Sequence, residues 1–214
     1  MHATPYTVSD VMTRSVASVG RDAAFKEIVR TMQERRVSAL PVVADGGRVA
    51  GIVSEADLLP KEEFRDSDPD RHTQLRRLPD LAKAGALTAG ELMSAPAVTV
   101  GADATLARAA RIMARTGVKR LPVVDGTGAL CGIVSRADLL KVFLREDEEI
   151  AAEVRREVLP ALFREDTGDS VRVTVREGVV TLGGRVRDTS LVPVAARLTR
   201  AVEGVVDVRF DLSG

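Results

Sequence analysis

The sequence predicts an α+β protein: two β-α-β-β-α units packed as a pseudo-symmetric pair, followed by a small α-β-β-α-β domain. Three observations predict it. Displaced by 81 residues, the chain falls on itself from Val8 to Leu59. Within each copy, apolar residues switch between helical and strand spacing at the same places. The last 65 or so residues carry a different pattern, alternating valines around paired glycines.

The repeat sets the architecture, because a duplicated unit folds as a duplicated structure. Leu40-Pro41-Val42-Val43 falls on Leu121-Pro122-Val123-Val124, Gly51-Ile52-Val53-Ser54 on Gly132-Ile133-Val134-Ser135, and Ala56-Asp57-Leu58-Leu59 on Ala137-Asp138-Leu139-Leu140. About 21 of 52 positions are identical without a gap, more than shared composition keeps in one register. Val16–Val19 and Ala97–Val100 read as short extended runs. Asp22 and Asp103 stand where a carboxylate can cap the helix that follows. Phe25, Ile28, Val29 and Met32 then recur at i, i+3, i+4 and i+7, as do Leu106, Ala109, Ala110 and Met113. Two apolar strands follow in each copy, joined by turns rich in Asp and Gly. A last helix starts at Ser54 and at Ser135. One such unit is too small to bury its sheet, so it packs on its copy.

The boundaries follow: residues 1–59 form the first unit, 60–87 a charged connector, 88–145 the second unit and 146–214 the last domain. The connector alternates acidic and basic side chains and reads as solvated, with a short helix over Leu75–Ala84. In the last domain Ile150, Val154, Leu159 and Leu162 mark a helix that Pro160 ends or kinks. Val171, Val173 and Val175, then Val180, Leu182 and Val186, mark two strands. Ser190 stands at the start of a helix carrying Val194, Leu198 and Val202, and Val206, Val208 and Phe210 close the sheet.

Composition narrows the function. Lysine and arginine number 31, and so do aspartate and glutamate. Zero net charge and 3% aromatics exclude a dominant nucleic-acid surface, which needs a basic surplus or stacking rings. Hydrophobic content of 45% excludes disorder. Two histidines and one cysteine, Cys131, make no zinc set, and no metal is expected. The single cysteine suits a reducing cytosol. We read no signal peptide before Val11 and no apolar run long enough to span a membrane. No nucleophile–base pair or phosphate loop appears, so the expectation is a protein without catalysis.

The paired motifs resemble the CBS-domain family. Each copy opens on Val11-Met12-Thr13 or Leu92-Met93-Ser94, continues through the Pro-Val-Val strand, and ends on Gly-Ile-Val-Ser-x-Ala-Asp-Leu. The resemblance implies a compact, homodimeric module. It also implies a ligand bound between paired units, an adenosine derivative such as AMP, ADP, ATP or S-adenosylmethionine, with no further cofactor required. On that resemblance Ser54 and Ser135 lie near phosphate, at the first turn of a helix. Asp57 and Asp138 can accept from the two ribose hydroxyls. Thr13, Val16 and Val37–Leu40 enclose the adenine, with Ser94, Ala97 and Val118–Leu121 as their counterparts. Ser-x-x-Asp is also the pattern of a capping box, so two readings stand for these residues.

The copies differ in charge. Lys119 and Arg120 precede Leu121 where Ser38 and Ala39 precede Leu40, and Arg136 follows Ser135 where Glu55 follows Ser54. We therefore expect one anion-competent site that draws on the second copy. Val173 to Gly184, with Val202-Glu203-Gly204-Val205, resembles a BON domain, in which Gly178 and Gly183 serve turns and close packing. That family implies lipid binding or assembly. From Ala151 onward 10 arginines face 10 acidic residues, which gives no polybasic surplus for anionic lipid. The expectation is a cytoplasmic regulatory protein that senses an adenosine nucleotide and signals through its BON-like domain to an unidentified protein partner. The alternatives are a ligand-independent dimerisation scaffold and a membrane-surface adaptor.

Overall fold

A computed structural model describes residues 6–65, 77–162 and 170–213 of the chain. His2, His72, Phe163 and residues 66–76 of the connector lie outside them. The chain forms two compact units. One is Val8–Ser135; the other joins residues 6–7 to the chain from Arg136 onward.

In the first unit, α1 (Val8–Val11), β1 (Val19–Gly20), α2 (Phe25–Arg35), β2 (Ala39–Val43), β3 (Val49–Ser54), α3 (Glu55–Leu58) and α4 (Pro60–Glu63) lead to the connector helix α5 (Leu78–Gly85). The second copy gives α6 (Ala89–Leu92), β4 (Val100–Gly101), α7 (Leu106–Thr116), β5 (Arg120–Val124) and β6 (Leu130–Ser135). Each copy builds a three-stranded sheet, with its first strand parallel to its second and the second antiparallel to the third. The register repeats: Leu40 faces Val53 as Leu121 faces Val134.

The helix stripes lie where their spacing puts them, with Ile28, Met32, Leu106, Ala109 and Met113 buried. Two local readings are corrected. The opening strands are the two-residue β1 and β4, at the ends of the expected runs. The helices start later than Asp22 and Asp103. Phe25 N–H donates to the Leu87 carbonyl (2.9 Å), which holds Ala24 extended, so Ala24 is the N-cap of α2. Thr105 caps α7, its hydroxyl accepting from the Arg108 N–H at 3.2 Å.

The copies interlock. The α6 of the second copy brings Ala89 and Leu92 into the first copy's core, beside Ile28, Leu40 and Val53. Ala89 N–H donates to Ala23 (2.9 Å), and Val8 N–H of α1 donates to Ala104 (2.8 Å), the same bond displaced by 81 residues. Glu91 closes α6 by accepting from Leu87 N–H (2.7 Å) and Thr88 N–H (3.1 Å). Those bonds, the Leu87 bond foremost, hold its carboxyl below the usual range. Arg48 and Ala129, also 81 residues apart, bridge each other at the pseudo-twofold axis.

This crossing explains the glycine of the Gly-Ile-Val-Ser motif. A Cβ on Gly51 would stand 2.5 Å from the Met93 sulfur and 2.9 Å from the Ser94 carbonyl oxygen. Gly132 meets Met12 and the Thr13 carbonyl in the same way. The thioether is flexible, but the carbonyl belongs to a backbone bridge. Gly51→Ala is expected to cost about 1–3 kcal/mol of unfolding free energy by overpacking. Urea denaturation checks this, and a shift below about 0.5 kcal/mol, the size of an ordinary surface substitution, contradicts the interlock.

The second unit begins with α8 (Arg136–Leu140) and holds a helix that starts at α9 (Asp147–Glu153). That helix passes through a wide π-type turn (Val154–Val158) into Leu159–Leu162. Pro160 thus neither ends nor breaks it at once. Proline lacks the N–H and crowds the carbonyl four residues back, and the widened turn before it relieves both constraints. The sheet β7 (Ser170–Arg176), β8 (Val179–Arg185) and β9 (Asp207–Ser213) packs against this helix and α10 (Val192–Arg200), around Val154, Val180, Leu182 and Ala195. β7 and β8 are antiparallel, β8 and β9 parallel. Asp188, not Ser190, caps the turn that leads into α10, accepting from Ser190 N–H at 2.9 Å. The glycine that the sheet demands is Gly184, at φ 132° against the Ser170 carbonyl, more than Gly183.

Candidate functional site

The interlock brings each copy's opening segment onto the other copy's last strand. Thr13 N–H donates to the Ile133 carbonyl (2.9 Å) and Ile133 N–H to Thr13 (3.0 Å). Ser94 and Ile52 exchange the same pair of bonds at 2.9 and 3.1 Å. The strand register puts Ala39 beside Ser54 and Arg120 beside Ser135. Ala39 with Ser54, and Arg120 with Ser135, are thus strand neighbours, while Thr13 and Ser94 each meet the last strand of the other copy.

One cation crosses between the copies. Arg120 Nη2 donates to the Ser38 hydroxyl at 2.8 Å, so the guanidinium of the second copy stands at the strand corner of the first. Ser38 is also tied to the start of α3, its carbonyl accepting from Glu55 N–H at 3.1 Å. Lys119 is exposed, and Arg136, the first residue of α8, is exposed as well. The helices α3 and α8 are four and five residues long, too short for much macrodipole. Positive charge at these strand ends therefore comes from side chains, Arg120 among them.

Asp57 is buried, and its carboxylate is engaged. Oδ2 accepts from Ser54 N–H (2.8 Å), and the Ser54 side chain accepts in return from the backbone N–H of Asp57, the reciprocal bonds of a capping box; the Ser54 hydroxyl also donates to Oδ2 at 2.7 Å. Oδ1 accepts from Lys83 of the connector helix α5. Asp138 Oδ1 accepts from Lys141 Nζ at 2.6 Å, an i,i+3 pair with a lysine that is 56% exposed.

The remaining predicted residues divide. Val37 is half-buried at the end of α2, its N–H donating to Met32 at 2.9 Å. Val16 lines a cavity of about 220 Å³ with Arg14, Ser18, Val43, Gly47, Leu130 and Cys131. That volume is small for a nucleotide, since sites for molecules of that size enclose roughly 300–1,000 Å³. It also sits by Val43, the far end of β2 from Ala39. Ala39 is 5% exposed, and Leu121 is fully buried. Leu121 is a correction: it is core and presents no wall to a cleft. Lys83 is the engaged residue that the sequence did not single out. Lys83 lies 26 residues from its partner, in a segment outside the repeat. Among the described residues, no His, Cys, Asp and Glu group could hold a metal, and no helix is long and apolar enough to cross a membrane.

Comparison with known proteins bears on this geometry. The family model of the CBS domain matches residues 8–61 and 89–145, and that of the BON domain matches 146–213. The chain is a tandem CBS-domain protein with a C-terminal BON domain. Its CBS pair is similar to the chloroplastic CBS domain-containing protein CBSX2 of Arabidopsis thaliana, 30% identical over 159 residues, 67% of this chain and 66% of CBSX2. The crystal structure of CBSX2 in complex with AMP matches with a TM-score of 0.57 and 31% identity, covering 65% of this chain and 97% of that one. The CBS pair of MJ0100, solved with 5′-methylthioadenosine and S-adenosyl-L-methionine, matches with a TM-score of 0.52, covering 65% of this chain and 96% of that one; at 19% identity it shares the fold.

Proposed function

We propose that the protein is a non-enzymatic regulator that binds an adenosine nucleotide in its CBS pair and passes the change to a protein partner through the BON domain. The observation that carries the reading is the likeness of the CBS pair to CBSX2, a protein crystallised with AMP. Three features of this chain support it. The opening segment of each copy reaches the other copy's strand, Arg120 crosses to Ser38, and Asp138 stands one turn into the helix that follows Ser135. In this reading Asp138 takes the ribose hydroxyls. Arg120, with Lys119 and Arg136, meets phosphate, and Thr13 and Val37 border the base. The protein works as a homodimer in the cytoplasm, where Cys131 stays reduced.

A ligand shifts such a module only by preferring one arrangement of the copies. Isothermal titration with AMP, ATP and S-adenosylmethionine tests the reading. Saturable heat and a raised melting temperature with one of them are expected. No heat and no thermal shift with any of them overturns the sensor and leaves a dimerisation scaffold.

A further inference from the structure

We propose that the outer face of the BON sheet docks on the same face of a second molecule of this protein, the two related by a twofold axis along β8. The inference goes beyond the nucleotide reading and does not depend on it. Side chains alternate between the two faces of a sheet. Val173, Val180, Leu182 and Val208 are buried on the inner face, against the helices. Their neighbours along each strand point the other way, and those of the two edge strands β7 and β9 are exposed.

The charges on this outer face are sorted by strand. The register sets Arg172 level with Gly183 and Asp211, Thr174 level with Thr181 and Arg209, and Arg176 level with Val179 and Asp207. In two rows, then, β7 is basic where β9 is acidic. Turning a second molecule by a half-turn about the β8 direction lays its β9 over this β7, row on row. Arg172 then faces Asp211, Arg176 faces Asp207 and Thr174 faces Arg209. Each contact is made twice, the self-complementarity of an isologous dimer. A twofold axis across the strands would instead stack Arg172 on Arg176 and Asp207 on Asp211, so the charge pattern selects one axis. Aligned sheets pack about 10 Å apart, a gap that an arginine and an aspartate span together. The charges are also available. Among the described residues Arg172, Arg176, Arg209 and Asp211 make no ion pair, and Asp207 has a loose one, to Arg200 at 3.9 Å.

The axis itself runs over Val179, Thr181 and Gly183. Gly183 has no positive φ, and a Cβ there would meet nothing closer than 3.4 Å, an ordinary contact. Its own chain does not demand a glycine, whereas a second sheet laid on the axis makes use of the missing side chain. Arg185 opposes the contact, since it meets its own counterpart on the axis, but it stands exposed at the last position of β8. Strands of seven residues at about 3.3 Å each, spaced about 4.8 Å apart, make a face of roughly 23 by 14 Å. That is less than the roughly 800 Å² per partner of a stable complex. The contact is therefore weak alone and suits chains that are already gathered.

Thiol cross-linking of the full chain, without nucleotide, tests the docking. Thr181 lies on the axis, so a cysteine there meets its own counterpart, and Cys131→Ser removes the native thiol. With a short bis-maleimide at high protein concentration, Thr181→Cys is expected to give a covalent dimer. Adding Asp211→Arg is expected to lower the yield at least about tenfold, because symmetry makes each like-charge contact twice. Adding Arg172→Asp does the same, and the two together restore the yield, because the charges are only exchanged. Molar salt lowers the yield of the parent variant. No covalent dimer from a folded Thr181→Cys variant, a yield that either reversal leaves unchanged, or an exchange that fails to restore it overturns the proposal. Thermal melts establish that each variant is folded, and Val179→Cys, on the same axis, takes the place of Thr181→Cys if that one is not. Absence of the dimer together with flotation of the protein on phosphatidylserine vesicles also overturns it and assigns the arginines to lipid.

Discussion

Replacing Asp138 with asparagine is expected to weaken AMP binding ten- to a hundredfold, about 1.4–2.8 kcal/mol. The affinity loss follows from the role proposed for the carboxylate, which accepts two ribose hydroxyls with a full negative charge. Lys141, one of its partners, is 56% exposed and sits at i,i+3, a pairing worth only about 0.3–0.5 kcal/mol, so the loss of that pair alone moves the melting curve little. The matching change at Asp57 disturbs a more deeply inset pair. Asp57→Asn removes the charge from an inset ion pair and weakens a capping box, with an expected loss of about 1.5–3 kcal/mol that shows in the melting curve. Calorimetry and thermal melts on the two variants check both statements. Unchanged AMP affinity in Asp138→Asn removes this residue from the site.

Leu121→Ala is expected to lower the unfolding free energy by about 2–5 kcal/mol, measured by urea denaturation. Leu121 has no exposed surface and lies in β5 opposite Val134, so its removal leaves a cavity that the interlocked sheets cannot collapse to fill. Leu40, its counterpart in the first copy, is equally buried and faces Val53. A loss below about 1 kcal/mol places Leu121 at a cleft wall after all.

Most of the fold was legible because duplication leaves a signal that no single strand or helix leaves. The Pro-Val-Val strands, the Gly-Ile-Val-Ser strands and the two amphipathic helices lie where the repeat puts them, and the last domain follows its alternating valines. What was misread depends on partners distant in sequence. Asp22 looks like a helix cap until Leu87, more than sixty residues away, holds Ala24 extended. Pro160, expected to end or kink its helix, follows a widened turn and stands two residues before Leu162, the last described residue of that helix.

The bonds made by the candidate site residues were not legible in the sequence. Ser54 and Asp57 admitted two readings, and the side-chain geometry puts the capping bonds in place. Lys83 carried no local signal, because a lysine in a run of mixed charge looks solvated until a folded helix carries it back 26 residues. Leu121 was misassigned for a related reason: in a strand buried on both faces, apolar identity does not say which side looks toward a ligand.

The bridge between Arg48 and Ala129 joins a position to its own duplicate. In two separate, identical chains it would be a residue meeting itself across a true twofold axis, and the exchanged α1 and α6 would be a swapped element between subunits. The connector is then a tether between the copies whose last residues also belong to their interface, with Ala86 in the first copy's core and Leu87 accepting from Phe25. Two fragments cut within residues 66–76 retain the bridges that join the copies among the described residues. Co-expressed, they would reassemble through surfaces that the tether brings together at high local concentration but does not create.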